Sequence, residues 1–488
     1  MIIAGRETAT GLEKMRVTLL YPSYGSESHS LYFPFGLAYV ASSLTDAGHT
    51  VTVVDMEGDR LSVAEAFRRI VDSSPRLVAF GGMVTRFRFV RELALLIRKE
   101  MPGVFITAGN SGATTVPDIY LESCRLDCVV LGEGEITAAE LVNTLEVGGD
   151  WRQVPGIAWL NLQGELVKSS PREPVENLDS LPWPAWDLFP VENYVASMDH
   201  RQKKVRHMEV LASRGCPYNC VYCYRIYGRN VRRRSPESII AELKELVRRY
   251  GIRYTGFPDD LFTSNREFVM KTCSLIKKEL PGLKWSCLGR VNTVDREMLE
   301  AMKDAGCDWI SYGIESGSDE MLTRMKRRVT ARQCLEAVKL TESVGIHADG
   351  SFIIGMFGET RDSVKKTVEF CRNADITAPM LFVTPYPGTA IFDTAVENGL
   401  IGNVEEFLSG MNAADNLSVN LTDFSDSELL ELRDWAQGTI GRSYLFKKPF
   451  TRIPALFWKH YKLRGIKGLM HDVKAFLASV FSKNRNQA

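Results

Sequence analysis

Three cysteines near the middle of the chain are spaced to bind an iron–sulfur cluster. Ser213–Tyr224 reads SRGCPYNCVYCY, which places Cys216, Cys220 and Cys223 in a C-x3-C-x2-C pattern. Thiolate sulfur is a preferred ligand of iron, and three thiolates leave the fourth iron of a 4Fe–4S cluster open to another ligand. The alternatives are a zinc site or accidental spacing, but zinc normally takes four ligands and no fourth Cys or His lies nearby in sequence. The pattern therefore predicts a 4Fe–4S site with one open iron.

The composition is that of a multidomain globular protein. A chain of 488 residues is too long for one ordinary domain, so two or three are expected. The formal net charge is +0, which argues against a general nucleic-acid-binding protein. No apolar run approaches the roughly 18–20 residues of a membrane-spanning helix, and the first residues lack the pattern of a secretory signal. Only three of the 10 cysteines cluster, which favours the reducing cytoplasm over a disulfide framework.

The elements that must position the site begin with a front region in which apolar strands alternate with helices. Strands are predicted at Arg16–Tyr21, His49–Asp55, Leu77–Gly81, Val104–Ala108 and Cys128–Leu131. Strands separated by helices of about 10–15 residues imply an open, Rossmann-like parallel sheet over residues 1–150. Ligands bind such sheets beyond the carboxyl ends of the strands, where glycines let the backbone approach them closely. Glycines at these ends include Gly109, Gly132 and Gly134.

A second strand–helix series follows residues 151–205, which we interpret as a packed linker because the segment NLDSLPWPAWDLFP is rich in proline and tryptophan. Strands are predicted at His207–Ala212, Tyr254–Pro258, Lys284–Leu288, Trp309–Gly313, His347–Ile354 and Met380–Thr384, with helices between them. Six βα units over residues 206–400 predict a partial (β/α)6 barrel of the TIM type. Its active site is expected on the loops at the carboxyl ends of the strands. Residues 401–488 are predicted to form a C-terminal helical region.

The cysteine motif, placed directly after the first barrel strand, resembles the signature of the radical S-adenosylmethionine (SAM) superfamily. The resemblance implies that the open iron binds the amino and carboxylate groups of SAM. It also implies that the reduced cluster cleaves SAM to a 5′-deoxyadenosyl radical, which takes hydrogen from the substrate. The electron would come from an external donor such as a flavodoxin or ferredoxin. Tyr222, before the third cysteine, matches a position that packs near adenine, and we count it among the catalytic residues.

A carboxylate after the fourth barrel strand resembles a SAM contact of this superfamily. Gly313–Ser318 reads GIESGS, and Glu315 matches the carboxylate that contacts the ribose or amino group of SAM, with Ser316 beside it. The alternative is that Glu315 pairs with Arg290 at the barrel mouth. Arg290 and Asn292, after the third strand, are expected to contact the SAM carboxylate and the substrate.

Two glycine-containing turns resemble further SAM-lining segments. Pro385–Thr389 reads PYPGT and ends the sixth strand, so Pro385 and Gly388 are expected to line the adenine site. Gly355–Thr360 reads GMFGET, with Phe357 where the superfamily usually has proline. Gly355 is therefore expected to define the fold and to line SAM.

Two adjacent carboxylates follow the second barrel strand in the segment FPDDLFT. Asp259 and Asp260 either orient the substrate as catalytic residues or, in the case of Asp260, cap the following turn.

The front region resembles the cobalamin-binding domain of cobalamin-dependent radical SAM enzymes, in the subfamily related to anaerobic magnesium-protoporphyrin IX monomethyl ester cyclase. The resemblance lies in PFGLAYVASSLTDAGHTVTVVD (34–55) and DCVVLGEGE (127–135). It implies that the loop with Gly132, Glu133, Gly134 and Glu135 lies on the cofactor side of the sheet.

The chain departs from the common cobalamin pattern in two places. It has no D-x-H-x-x-G motif, so the lower face of cobalt is expected to lack a histidine ligand, and Thr85 or Arg86 is a candidate to face it. The run Gly109–Gly112 replaces the usual Gly-Gly-x-His, although Gly109 still permits close approach. The alternative is a front domain that packs on the barrel without a cofactor.

Three functional classes remain open. A cobalamin-dependent enzyme of this kind most often methylates an unactivated carbon, here of a small-molecule or lipid-like substrate. The second class is a cyclase or rearranging enzyme without methyl transfer. The third is a cofactor-binding protein without catalysis.

The C-terminal residues are strongly basic. Residues 442–488 mix Lys and Arg with aromatic residues and contain Asp472 as their one acidic residue, which favours either peripheral membrane contact or a terminal helix pair packed on the barrel. The seven cysteines outside the motif form no cluster, and we expect them to be small buried hydrophobic residues.

Overall fold

A computed structural model describes residues 14–23, 31–197, 199–200, 203–377, 379–411, 416–450 and 452. They contain one large sheet in each half of the chain, mainly parallel in the first half and parallel in the second. Helices pack on both faces of the first sheet and on the outer face of the second. The α/β architecture predicted from the sequence is confirmed.

The first sheet has seven strands in the order β2-β1-β3-β4-β5-β6-β7. The strands are β1 (Arg16–Tyr21), β2 (Thr50–Asp55), β3 (Leu77–Phe80), β4 (Phe105–Gly109), β5 (Cys128–Val130), β6 (Ile157–Leu160) and β7 (Leu166–Lys168). The helices are α1 (Phe35–Asp46), α2 (Val63–Asp72), α3 (Phe87–Glu100), α4 (Ser111–Thr115), α5 (Pro117–Cys124) and α6 (Glu135–Glu146). The first five strands are parallel and follow the predicted positions closely, whereas β6 and β7 are antiparallel.

The strand β1 is mostly apolar because helices cover both of its faces. Leu19 faces the layer that contains α1 and α6, and Leu20 faces the layer that contains α2 and α3. Successive side chains of a strand point to opposite faces, so both neighbours are removed from water here.

The segment between the two halves packs against α1. Trp186 stacks on Phe33 with ring centroids 4.6 Å apart, and the Ser42 hydroxyl donates to the Trp183 carbonyl. Helix α7 (Val191–Ser197) and the short strands β8 (Asp199–His200) and β9 (Lys203–Lys204) follow. The strands β6 and β7 lie in the stretch that we interpreted as linker, and they extend the first sheet because β6 pairs with β5. Alternation over only three or four residues is too short to separate strand from loop in the sequence.

The second sheet has six parallel strands in the order β10-β13-β14-β15-β16-β17, an open partial barrel as predicted. Its strands are β10 (His207–Glu209), β13 (Tyr254–Phe257), β14 (Lys284–Gly289), β15 (Cys307–Glu315), β16 (His347–Ile354) and β17 (Met380–Phe382); β11 (Ser213–Arg214) and β12 (Arg232–Arg233) form a separate antiparallel pair. The helices are α8 (Pro236–Tyr250), α9 (Arg266–Glu279), α10 (Arg296–Asp304), α11 (Asp319–Arg324), α12 (Ala331–Ser343), α13 (Arg361–Ala374), α14 (Ala390–Glu397), α15 (Val404–Gly410) and α16 (Asp426–Lys447). Helical turns of the 3₁₀ type lie at Val84–Arg86, Trp151–Gln153, Leu178–Ser180, Trp186–Leu188 and Phe262–Ser264.

Alternate residues of the barrel strands face the outer helices and the lumen. In β16 every second residue is buried, and the residues between them are partly open. All seven cysteines outside the motif are buried, as expected.

Only the first part of the basic C-terminal segment 442–488 lies within the described residues. Residues 442–447 end α16, whereas 453–488 lie outside the described residues. Among the described helices, none combines the length and apolarity needed to cross a membrane.

Candidate cofactor-binding active site

The three motif cysteines lie on one loop, residues 215–231, which we call the cluster loop. Its two ends are joined by the antiparallel pair β11–β12, in which Arg214 lies opposite Arg232. The Cys216 amide donates to the Gly228 carbonyl over 3.1 Å. Gly215 has a φ of +95° and a Cβ on it would lie 2.1 Å from the Asn230 carbonyl oxygen, so a side chain has no room there.

The cysteines form a donor set that fits an iron–sulfur cluster. Cys220 is buried, Cys216 is half-buried and Cys223 is exposed, and all three are free thiols. Although Cys223 as a residue is exposed, desolvation of its thiol, with the charges of Asp260 and the neighbouring thiols, raises its pKa to about 12. Desolvation also raises the pKa of Cys216. In the described chain no group of three Cys, His, Asp or Glu side chains is already arranged around a metal position. The three thiols lie on a loop whose two ends are fixed by the pair β11–β12.

Glu315 lies beside the cluster loop in a strained conformation. It ends β15 at a register shift, with a φ of +71°, and is 6% exposed. The Tyr222 hydroxyl donates to its carboxylate, and the Ser351 hydroxyl lies 3.5 Å from Oε2. Burial raises the pKa of Glu315 despite these contacts and the nearby Arg327. A non-glycine residue held in this region is a frequent sign of a functional site.

Arg327 is a residue of this site that the sequence analysis missed. Its Nη1 lies 3.5 Å from the Cys220 sulfur, and its Nη2 donates to the Gly313 carbonyl. It acts more strongly than Arg290 on the pKa of Glu315. Arg327 belongs to the run KRR, which has the composition of a solvated surface, and nothing in the sequence indicates that it is only 7% exposed.

Arg290 is held by protein partners at the barrel mouth. Its Nε donates to Asn292 over 3.0 Å, its Nη2 donates to the Arg327 carbonyl, and its guanidinium lies 3.5 Å from the Tyr218 ring centroid. Arg327, rather than Arg290, is therefore the main cationic neighbour of Glu315.

The two carboxylates after β13 have different surroundings. Asp259 is buried and accepts hydrogen bonds from the amides of Ala212 (2.9 Å) and Ser213, so it fixes the start of the cluster loop. Burial raises the pKa of Asp259 to about 7. Asp260 is exposed and faces Cys216 and Cys223.

The two predicted glycine turns differ in where they point. Gly388, in the turn that contains the buried Pro385, has a φ of +83°, and a Cβ on it would lie 2.5 Å from Thr115 and 3.0 Å from Tyr224. This turn therefore joins the barrel, the cluster loop and the front sheet. Gly355 instead faces Leu429 of α16, so its contacts are with the core.

A cavity of about 540 Å³ joins the two halves at the carboxyl edge of the first sheet. Ile226 and Tyr227 of the cluster loop and Glu209 of β10 line one side. The first-sheet side is mainly apolar and glycine-rich, with Leu19, Leu37, Leu141, Val142, Gly81, Gly82, Gly109, Gly132 and Gly134 among its residues. Its apolar walls and its open glycine edge fit a bulky, flat cofactor such as cobalamin. None of the described lining residues is a histidine.

The candidates proposed to face cobalt are not part of the described lining. Arg86 is fully buried, lies 4.0 Å from the Tyr21 ring centroid, and donates to the Tyr21 hydroxyl over 2.9 Å. Thr85 is buried beside it. Met83, which precedes both and is 48% exposed, lines the cavity instead.

Glu133 and Glu135 lie at the cavity as predicted, but their carboxylates point to arginines of the second half. Glu133 pairs with Arg232 and Arg214, and Glu135 pairs with Arg214. Both side chains therefore line the cavity and are engaged in ion pairs within the chain, and their contact with a cofactor stays a prediction.

Glu209 is a further lining residue that the sequence analysis missed. Its carboxylate has no hydrogen-bond or ion-pair partner among the described residues, and burial raises its pKa to about 7. Within the strand sequence HMEVLA it has the appearance of an ordinary polar residue in an alternating pattern.

We predict that Gly215→Ala prevents cluster binding. The new methyl group would overlap the Asn230 carbonyl, so the two ends of the cluster loop have to separate. Iron and sulfide per chain after anaerobic reconstitution measure the effect. The control is Gly228→Ala, where φ is +73° but no atom lies within 4 Å, so only a strain of about 1–2 kcal/mol is expected and iron should be retained. Equal iron in both variants contradicts the prediction.

We predict that Glu209→Gln changes how stability depends on pH in the cofactor-free protein. Because its pKa is raised to about 7, the folded protein retains a proton that the unfolded chain releases near pH 4.5, and the free energy of unfolding falls as the pH rises through this window. Glutamine removes this loss, so the variant should gain about 1–3 kcal/mol over the parent on going from pH 5 to pH 8. Urea unfolding at both pH values measures the gain, and a constant difference between variant and parent would refute it.

Comparison with known proteins agrees with this geometry. A family model described as the Radical SAM superfamily matches residues 210–371, and one described as the B12 binding domain matches residues 23–142. The chain is 34% identical over 372 residues to an uncharacterised methyltransferase of Pyrococcus horikoshii, covering 75% of this chain and 79% of that protein. It is 27% identical to the anaerobic magnesium-protoporphyrin IX monomethyl ester cyclase of Rubrivivax gelatinosus, covering 96% of this chain and 83% of that one.

A solved structure shares the fold. The cobalamin-dependent SAM radical enzyme OxsB, with aqua-cobalamin and SAM bound, aligns with a TM-score of 0.69 at 18% identity over 96% of this chain and 75% of that one. The two matched domains confirm the predicted cofactors, a 4Fe–4S cluster, SAM and cobalamin. The chain therefore belongs to the radical SAM superfamily, in the group whose members carry a B12-binding domain.

Proposed function

We propose that the protein transfers a methyl group from SAM to a carbon atom of a small-molecule substrate. The observation that carries this proposal is a single cavity lined both by the glycine-rich edge of the B12-binding domain and by Ile226 and Tyr227 of the cluster loop. A methyl donor and a radical source have to reach the same substrate carbon, and a shared cavity provides that proximity.

The cluster loop and its neighbours have separate roles in this proposal. Cys216, Cys220 and Cys223 hold the cluster. When bound, the cluster and SAM supply a 5′-deoxyadenosyl radical, and cobalamin supplies the methyl group. Asp259 holds the first end of the loop in place, and Asp260, which faces the cysteines, orients the substrate.

SAM is proposed to bind between the cluster loop and the barrel mouth. Glu315 accepts hydrogen bonds from the amino group or ribose of SAM, and Tyr222 orients this carboxylate through its hydroxyl. The backbone at Ser316, Pro385 and Gly388 lines the remaining part of the site. Arg290 positions Arg327 through its carbonyl contact, and Arg327 offsets the negative charge near Cys220.

Methyl transfer is favoured over cyclisation by the relatives. The relative at 34% identity is named a methyltransferase, whereas the cyclase relative is 27% identical. The apolar cavity walls accept a lipid-like substrate as well as other small molecules.

The required electrons come from an external donor such as a flavodoxin or ferredoxin. The basic segment 442–488 is proposed to contact a membrane surface. We divide the chain into a cofactor domain (1–150), a linker (151–205), a barrel (206–400) and a C-terminal region (401–488), with β6 and β7 attached to the first sheet.

Labelled SAM tests the proposed reaction. Each methylated product should consume two SAM and two electrons and release one 5′-deoxyadenosine, one methionine and one S-adenosylhomocysteine. We predict that the anaerobically reconstituted, cobalamin-loaded protein transfers label from methyl-labelled SAM to a compound in extracts of the host. Formation of 5′-deoxyadenosine with no S-adenosylhomocysteine and no labelled product would instead indicate a cyclase or rearranging enzyme. Absence of both nucleosides would indicate a non-catalytic protein.

We predict that Glu315→Gln weakens SAM binding roughly 10-fold or more, since a hydrogen bond to a charged group contributes about 1.5–3 kcal/mol. Equilibrium dialysis of SAM with cluster-loaded protein measures the affinity, and iron content should be unchanged. The comparison variant Tyr222→Phe removes one donor to the same carboxylate and should weaken SAM binding less. Unaltered affinity in Glu315→Gln would exclude Glu315 as a SAM contact.

A further inference from the structure

Four buried charged side chains form a network between the two halves of the protein, which we call the clasp. Glu133 and Glu135, before and at the start of α6, meet Arg214 and Arg232, at the two ends of the cluster loop. Arg214 Nη1 lies 3.1 Å from Glu133 Oε2, and Arg214 Nη2 lies 2.5 Å from Glu135 Oε1. Arg232 reaches both oxygens of Glu133, with Nη1 3.1 Å from Oε2. None of the four side chains is more than 9% exposed.

The clasp fixes both ends of the cluster loop at once. Arg214 and Arg232 lie opposite each other across β11 and β12, so the carboxylates close the base of the loop from the side of the first sheet. The Arg214 guanidinium lies 5.0 Å from the ring centroids of Tyr39 and Tyr227, one from each half. Arg232 also donates to the Tyr227 carbonyl over 3.2 Å.

The segment that supplies the clasp carboxylates also lines the cofactor cavity. Residues 132–135 all contribute to the wall, as do Ile226 and Tyr227 of the cluster loop. Gly132 has a φ of +72°, and its amide donates to Thr114 Oγ1 over 3.1 Å, which fixes the turn before the carboxylates. An occupant of the cavity therefore rests on the same turn that holds the cluster loop.

We propose that the clasp couples occupancy of the cobalamin cavity to the arrangement of the cluster loop, with Glu133 and Glu135 as positioning residues. This inference rests on the proposed function in that it requires both cofactors. A cobalamin-filled cavity holds residues 132–135 in place, the carboxylates hold Arg214 and Arg232, and the loop between these arginines is set to receive the cluster. Binding at two sites that favour the same arrangement is reciprocal, so a bound cluster tightens cobalamin binding by the same factor.

The reciprocity gives a direct test with hydroxocobalamin as the probe. The full chain is titrated in its cluster-loaded and cluster-free forms, and the ratio of the two dissociation constants measures the coupling. We expect the cluster-loaded parent to bind roughly fivefold or more tightly. In Glu133→Gln/Glu135→Gln the ratio should fall toward one while hydroxocobalamin still binds. The variant Arg214→Lys keeps the charge but loses the paired donors, so its ratio of dissociation constants should lie between that of the parent and that of the double variant.

A matched control separates coupling from stability. Glu242→Gln removes an equally buried carboxylate, which pairs with Arg234 inside the second half. Glu242→Gln should lower the melting temperature as the clasp variants do. Its ratio of hydroxocobalamin dissociation constants should nevertheless equal that of the parent. Hydrogen exchange of residues 215–231 gives a second readout that needs no cluster: hydroxocobalamin should protect this loop in the parent and in Glu242→Gln, but not in the clasp double variant.

The outcomes distinguish this inference from the proposed function. A parental ratio of one with hydroxocobalamin bound, or an unchanged ratio and loop protection in Glu133→Gln/Glu135→Gln, overturns the coupling and leaves the proposed function intact. Failure of the parent to bind hydroxocobalamin overturns both. If the double variant does not fold, Glu135→Gln alone should still reduce the ratio, and an unchanged ratio there overturns the coupling.

Discussion

The structure around the cluster loop depends on two arginines that are removed from water and neutralised from the opposite half of the protein. An unpaired buried guanidinium is very costly, and attraction to a carboxylate offsets that cost only when the geometry is good and the remaining donors are also satisfied. Glu133, Glu135 and backbone carbonyls such as that of Val175 (2.7 Å) accept from the terminal nitrogens of Arg214 and Arg232. The Arg232 Nε is the exception, since it is buried without a hydrogen-bond partner. The two halves are therefore joined beside the cavity by ion pairs that lie out of water, with the carboxylates on one half and the guanidinium groups on the other.

The remaining polar contacts of the site act on the same loop from the barrel side. Asp259 holds its first end through the amides of Ala212 and Ser213, and Arg327 reaches Cys220 from the turn after α11. The turn at Gly388 approaches Tyr224 so closely that no side chain fits. The loop is thus held at its base and near its cysteines. Such support suits thiol ligands, which have to lose their protons when iron binds.

Much of the fold was predictable because its strands are apolar and its helices amphipathic. The five parallel strands of the first sheet and the six barrel strands lie within a few residues of their predicted positions. The cysteine motif was recognised from its local spacing, and Glu315 was proposed because its segment resembles one of the superfamily. Partners that come from distant parts of the chain were not found. Arg327 lies in a basic run, and the clasp joins residues 133 and 232, which are 99 positions apart. Glu133 and Glu135 were assigned to the cofactor because the sequence indicates which edge they occupy, but not which way their carboxylates turn.

Four of the carboxyl groups with raised pKa values show how residues of one chemical type are given different roles by their partners. The pKa of Asp55 is about 6, and those of Asp259, Glu209 and Glu359 are about 7, with burial as the leading cause in each case. Asp55 accepts from Tyr194 over 2.7 Å, Asp259 accepts from two backbone amides, and Glu359 accepts from Ser363, so these three hold loops at strand ends. Glu209 is half-buried and, among the described residues, has no such donor. It lines the cavity between the cofactor domain and the barrel. A carboxyl group that the fold desolvates without a partner is stabilised only by what enters the cavity. We therefore expect the charge state of Glu209 to depend on what occupies this cavity.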